Sequence, residues 1–129
     1  MIPNRKPDDD HWVLLVDDDE DVRDVLADAL REEGYLVREA AGGEEALAIL
    51  RTSQPSVVIT DLFMPGLDGG TLREAARLFM RVLPPFVFVT GANMTLRASM
   101  EGTVMSKPLN LDELLEVVAR FCSDVATSS

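Results

Sequence analysis

Cysteine is nearly absent from this chain of 129 residues: Cys122 stands alone. That count excludes an internal disulfide and any zinc site built on thiolates. Cys122 falls on the apolar stripe of an expected helix, where a small buried thiol packs like a hydrocarbon. Basic residues are also few. Twelve Lys and Arg stand against 23 Asp and Glu, for a formal net charge of −11. A nucleic-acid binder neutralises phosphates with Lys and Arg, and this chain would mostly repel them. The same repulsion disfavours an anionic membrane surface. Long apolar runs are missing too: Val57-Val58-Ile59 is typical, and a bilayer span needs about 20 residues. The first ten residues are polar, without the apolar stretch of a signal peptide. Neither nucleic acid nor membrane insertion is expected, and the setting is expected to be cytoplasmic.

What is present is one domain's worth of alternating patterns. Residues 1–11 read as a polar lead-in, 12–123 as a single folded unit and 124–129 as a frayed tail. No internal repeat, low-complexity tract or linker to a second domain is seen. Strands are expected at Trp12–Val16, Tyr35–Val37, Ser56–Thr60, Phe86–Thr90 and Thr103–Met105. The runs at 57–59 and 86–89 are continuously apolar, as in strands buried on both faces of a parallel sheet. Helical stripes lie between them: Val22, Val25, Leu26, Ala29 and Leu30; then Ala46, Ile49 and Leu50; then Leu72, Ala75, Ala76 and Phe79. The last stripe, Leu111, Leu114, Leu115, Val118 and Cys122, opens with Asn110 and Glu113, close to a capping box. Strands interleaved with helices mean an α/β fold with a parallel sheet covered on both faces.

In such a sheet the chemistry gathers at the carboxyl ends of the strands. Those ends are Asp17-Asp18-Asp19, Asp61, Thr90 followed by Gly91, and Lys107-Pro108. Converging carboxylates repel one another and must share a proton or bind a cation. An all-oxygen site at a wet rim suits Mg²⁺. A carboxylate beside it can attack a phosphoryl group, with Lys107 and Thr90 meeting the charge on the phosphoryl oxygens. Taken singly, each residue has a plainer role, as a helix cap or a solvated surface group. Agreement of four strand ends is what carries the functional reading.

The segments VLLVDDD (13–19), VVITDLFMPGLDG (57–69), FVFVTG (86–91) and SKPL (106–109) resemble the receiver domain of two-component response regulators. The likeness covers about residues 12–122, and the Asp-x-x-Met-Pro-x-x-Asp-Gly run is its most specific part. It implies a doubly wound, flavodoxin-like sheet of five parallel strands in the order 2-1-3-4-5. It also implies that Asp61 is the phosphoacceptor and that Asp17 and Asp18 hold Mg²⁺, with Asp18 a direct ligand. The backbone carbonyl of Phe63 would complete the protein's share of the metal. Thr90 would bind a phosphoryl oxygen, Lys107 would be the site's cation, and the Lys107–Pro108 peptide would be cis. The implied donor is the phosphohistidine of a histidine kinase or a histidine phosphotransfer protein, with an unnamed downstream protein as the reader. The implied role is signalling rather than metabolic catalysis, although a receiver promotes its own phosphorylation and dephosphorylation. With the sequence ending after the last helix, a stand-alone receiver is expected.

Two other readings compete. A haloacid-dehalogenase-like phosphatase would use Asp17-x-Asp19, with Asp17 as nucleophile. Asp21 stands where that family needs Thr or Val, no acidic strand-end motif follows Lys107, and the chain is short for that fold. A pseudo-receiver that only binds partners is the third reading, and nothing in the residue set requires it. Asp19 is expected to cap the first helix instead of binding metal. A calcium loop at Asp17-x-Asp19-x-Asp21 fails because Val22 stands where a sharp-turn Gly is needed. Gly42-Gly43 is read as a helix-entry turn, His11 as surface, and Trp12 as a cover on one end of the sheet. The chain departs from the receiver pattern at Val104, where an aromatic is usual, and over residues 91–102, which leave room only for a shortened helix before the fifth strand. Partners are then expected to read this segment or the first helix.

Overall fold

The apolar runs become five strands: β1 (Trp12–Val16), β2 (Leu36–Ala40), β3 (Val57–Asp61), β4 (Phe86–Thr90) and β5 (Thr103–Ser106). The computed structural model describes residues 11–91 and 103–122. In it the strands form one parallel sheet in the order β2-β1-β3-β4-β5. Four helices lie among the described residues: α1 (Glu20–Glu32), α2 (Gly43–Leu50), α3 (Gly69–Arg77) and α4 (Leu111–Cys122). The shortened helix expected over residues 91–102 lies, apart from Gly91, outside the described residues.

Alternation along the strands splits the core in two. Val13, Leu15, Ile59, Val87 and Val89 face α1 and α4 through Leu26, Leu30, Leu114 and Val118. Leu14, Val16, Val58, Phe86 and Phe88 face α2 and α3 through Ala46, Leu50, Leu72 and Ala76. Every residue of β3 and β4 is buried, as a doubly covered strand requires. Trp12 and Val104 are half-buried against the second cluster, and Val104 stands beside Phe88 in the β4–β5 register.

Caps set the helix ends. Asp19 accepts from the Asp21 and Val22 amides at 3.0 and 3.3 Å and so starts α1. Beyond its last turn, Gly34 adopts φ 98°, with Tyr35 N–H on the Leu30 carbonyl and Gly34 N–H on that of Arg31. That is a Schellman motif, and the left-handed backbone there needs glycine. Asn110 accepts from the Glu113 amide at 3.0 Å, opening α4 as expected.

Four expectations need correction. On α1 the buried residues are Leu26, Ala27 and Leu30, while Val22 and Val25 are 38% and 58% exposed. The helix is rolled so that Arg23, not a valine, enters the sheet side, where it binds Glu39 and the Asp17 carbonyl. Strand β2 runs on to Ala40, beyond the expected Val37, because it is an edge strand whose charged Arg38 and Glu39 interrupt the apolar signal. α3 ends at Arg77, so Phe79 lies past the helix, with the Arg51 guanidinium over its ring. His11 is half-buried rather than on the open surface, its Nδ1 lying 3.4 Å from Ser56 Oγ.

Cys122 is buried in the α4 face of the core, and burial pushes its thiol up from 9.0 to about 11, against a smaller opposing effect of the Ser56 hydroxyl. Because the folded state holds this proton more tightly, the associated stability is present below pH 9.0 and declines as pH rises through about 11. At pH 8 the thiol should resist Ellman's reagent in the native protein and react fully in urea. Fast native labelling would show that α4 opens locally.

Candidate functional site

Parallel strands bring their carboxyl ends to one rim, and there the four strand-end signals meet. Asp17 directly follows β1; its amide bonds the Ala40 carbonyl at 3.1 Å and its Oδ1 accepts the Asp19 amide at 2.9 Å. The side chain points inward and is buried, whereas Asp18 beside it is exposed. Asp61 ends β3 and is 7% exposed. Its Oδ1 accepts the Phe63 amide at 3.2 Å, and its Oδ2 accepts Lys107 Nζ at 2.9 Å. One carboxylate oxygen from each of Asp17, Asp18 and Asp61 lies within 4.8 Å of the others.

Thr90 closes β4 and is fully buried, and its carbonyl accepts the Lys107 amide at 2.9 Å. This bond extends the β4–β5 ladder one step and delivers Lys107 to the rim. The Lys107–Pro108 peptide is cis, as expected from the sequence. Phe63, two residues past Asp61, is 57% exposed. Asp19 turns away to cap α1, which separates it from the three clustered carboxylates.

The electrostatics follow from this crowding. Burial pushes the Asp17 carboxyl up, the Asp19 amide partly restores it, and the nearby Asp61 charge raises it again. The hydrogen bond to Asp61 raises the Lys107 ammonium, which outweighs the cost of its partial burial. One ammonium therefore faces three carboxylates. The donor set is all oxygen and short of positive charge, and it fits a hard divalent cation such as Mg²⁺.

Two supporting groups escaped sequence reasoning. Arg23 donates to the Asp17 carbonyl at 2.8 Å and to Glu39 Oε1 at 3.2 Å, fixing the backbone from which the acidic pair hangs. Its signal was a cation in the acidic first half of the helix, spaced three and four residues from Leu26 and Ala27. Gly69 lies so close to the end of β3 that a Cβ there would sit 2.7 Å from the Asp61 carbonyl oxygen. Gly43 is similarly pressed against Leu67, which seats α2 on the loop that follows Asp61. Gly66, at φ 77°, makes the turn in that loop.

A family model described as "Response regulator receiver domain" matches residues 13–119. Among curated relatives, a positive alginate biosynthesis regulatory protein of Pseudomonas aeruginosa is 38% identical over 115 residues, covering 84% of this chain and 46% of that protein. Among solved structures, the chemotaxis protein CheY4 of Vibrio cholerae superposes with a TM-score of 0.75 at 29% identity, over 86% of this chain and 98% of that one. The receiver domain of the hybrid histidine kinase CckA gives 0.73 at 36% identity, with the same two coverages, 86% and 98%. The chain spans about half the length of the alginate regulator and 24% of a response regulator of Rickettsia bellii described as NtrX-like.

Proposed function

Since the chain belongs to the response regulator receiver domain family, we propose that Asp61 is its phosphoacceptor, loaded from the phosphohistidine of a histidine kinase or a histidine phosphotransfer protein in the cytoplasm. The observation that carries this is the Lys107–Asp61 contact of 2.9 Å beside a three-carboxylate cluster. A carboxylate oxygen of Asp61 attacks phosphorus, the bond from phosphorus to the donor atom breaks, and the donor leaves with its electron pair. Lys107 and the Thr90 hydroxyl meet the charge spread over the phosphoryl oxygens. Asp17, Asp18, Asp61 and the Phe63 carbonyl would hold Mg²⁺, which when bound offsets the repulsion between these carboxylates and an incoming phosphate. The phosphorylated form then changes the affinity of a downstream protein partner. On the donor side, α1 offers the exposed Val22 and Val25 as apolar contacts. The phosphatase alternative is not favoured, because Asp19, its required second acid, is engaged in capping α1.

Acetyl phosphate with Mg²⁺, followed by borohydride trapping and peptide mass spectrometry, should place the modification on Asp61. Modification of Asp17 would instead mean phosphatase-like chemistry. Mg²⁺ should raise the melting temperature of the unmodified protein, since it binds only the folded cluster. Asp18→Ala should remove most of that rise, and Asp19→Ala should keep it while lowering baseline stability by about 1 kcal/mol through the lost cap. Equal loss of the Mg²⁺ effect in both variants would shift the metal assignment by one residue.

Phe63 also governs how long the acyl phosphate lasts. Its ring cannot hydrogen-bond an attacking water, and from an exposed position two residues past Asp61 it is placed to cover the water's approach. Phe63→Asn should shorten the lifetime several-fold, read as loss of trapped phospho-Asp61 over time. An unchanged lifetime would remove this steric argument.

A further inference from the structure

On the rim opposite Asp61, the chain leading into β3 and the loop leading into β4 enclose a groove of about 290 Å³. We propose that this groove binds an acidic segment of a protein partner, in which carboxylates flank an apolar side chain. Arg51, Ser53 and Gln54 form one wall, and Phe79, Met80 and Arg81 form the other. The walls are tied together: Gln54 Nε2 donates to the Val82 carbonyl at 3.1 Å, and the Arg51 guanidinium lies 4.9 Å from the Phe79 ring centroid. The five-residue strand β3, ending in Asp61, runs from this rim to the other, about 17 Å of extended chain. The surface is therefore distinct from the phosphoacceptor site and does not depend on that assignment.

Charge decides the occupant. Residues 46–110 hold six Lys or Arg against four Asp or Glu, net +2 in a chain of −11. Arg23, Arg31, Arg73 and Arg77 all pair with glutamates. Arg38, Arg51 and Arg81 make no ion pair among the described residues. Arg38 reaches the same place, with Nη1 3.2 Å from Ser53 Oγ. Two uncompensated guanidiniums thus line one groove, with Arg38 beside its wall, on an otherwise acidic protein, a field that attracts carboxylates and repels basic segments. Exposed ion pairs alone are weak, so apolar contact must supply most of the affinity. Phe79 and Met80 offer it inside the groove, and Leu78 and Val82, 86% and 63% exposed, extend it along the rim. The volume falls just short of the about 300–1,000 Å³ usual for small-molecule sites, and it suits a side chain or two of a peptide.

The test is a titration of the ¹⁵N-labelled full chain with a short synthetic peptide of glutamates flanking two leucines. Expected are amide shift changes centred on residues 50–54 and 79–82, with affinity about tenfold weaker in the doubly substituted Arg51→Glu, Arg81→Glu protein. Both side chains are exposed, and the variant's unchanged circular dichroism and melting temperature would show that the fold is intact. A peptide with lysines in place of the glutamates should not bind, and one with serines in place of the leucines should bind far more weakly. Binding should be the same with and without beryllofluoride. No shifts in those residues, equal binding by the lysine peptide, or full binding by the charge-reversed protein would overturn the proposal. So would inorganic phosphate shifting the same residues with the peptide's affinity, which would mark a small-anion site.

Discussion

Asp61→Asn should reduce labelling by acetyl phosphate, or by a phosphorylated kinase, to background. The amide nitrogen is a poor nucleophile and its product would not be an acyl phosphate, so the loss should be complete. The substitution keeps the side chain's shape and one carbonyl oxygen, which can still accept the Phe63 amide or Lys107. It also takes one negative charge from a crowded rim, which lowers repulsion with Asp17 and Asp18. Folding stability should therefore change little, and Mg²⁺ affinity should fall. Retained labelling would mean that another carboxylate accepts the phosphate, and peptide mapping would identify it.

Gly69→Ala should be damaging because its methyl presses directly on the backbone of Asp61. The added Cβ would meet the Asp61 carbonyl oxygen at 2.7 Å, Thr60 Cγ2 at 3.1 Å and Leu62 Cα at 3.3 Å. Two of these three atoms are backbone, so they can move only by displacing the end of β3. Overpacking of this kind costs about 1–3 kcal/mol. Because the displaced atoms carry Asp61, the proposed acceptor, the phosphorylation rate should fall along with the urea midpoint. Gly42→Ser is the contrast. Nothing lies within 4 Å of its Cβ, and a hydroxyl at this N-cap position can serve the α2 amides. It should be neutral or stabilising by a few tenths of a kcal/mol. If Gly69→Ala is equally harmless, the close approach does not constrain the acceptor.

Much of this protein is determined by local chemistry and is readable along the chain. Continuous apolar runs have only one good use in a small α/β domain, burial on both sides of a parallel sheet, and β1, β3 and β4 follow them closely. Asp19 and Asn110 cap helices because their short side chains reach amides two or three residues on. Strand-end residues identify the rim because parallel strands all point the same way. Tertiary packing decided what periodicity cannot. A helix stripe contains more apolar residues than a flat sheet can cover, so the roll of α1 was settled by where Leu26, Ala27 and Leu30 fit, and Val22 and Val25 were left outside. The charged residues of β2 mask a strand because an edge strand is only partly covered, and there Glu39 receives Arg23 and Arg31. The groove around Arg51 and Arg81 has no linear signature at all. It exists because two loops about thirty residues apart precede adjacent parallel strands, and parallel pairing places the starts of neighbouring strands side by side just as it does their ends.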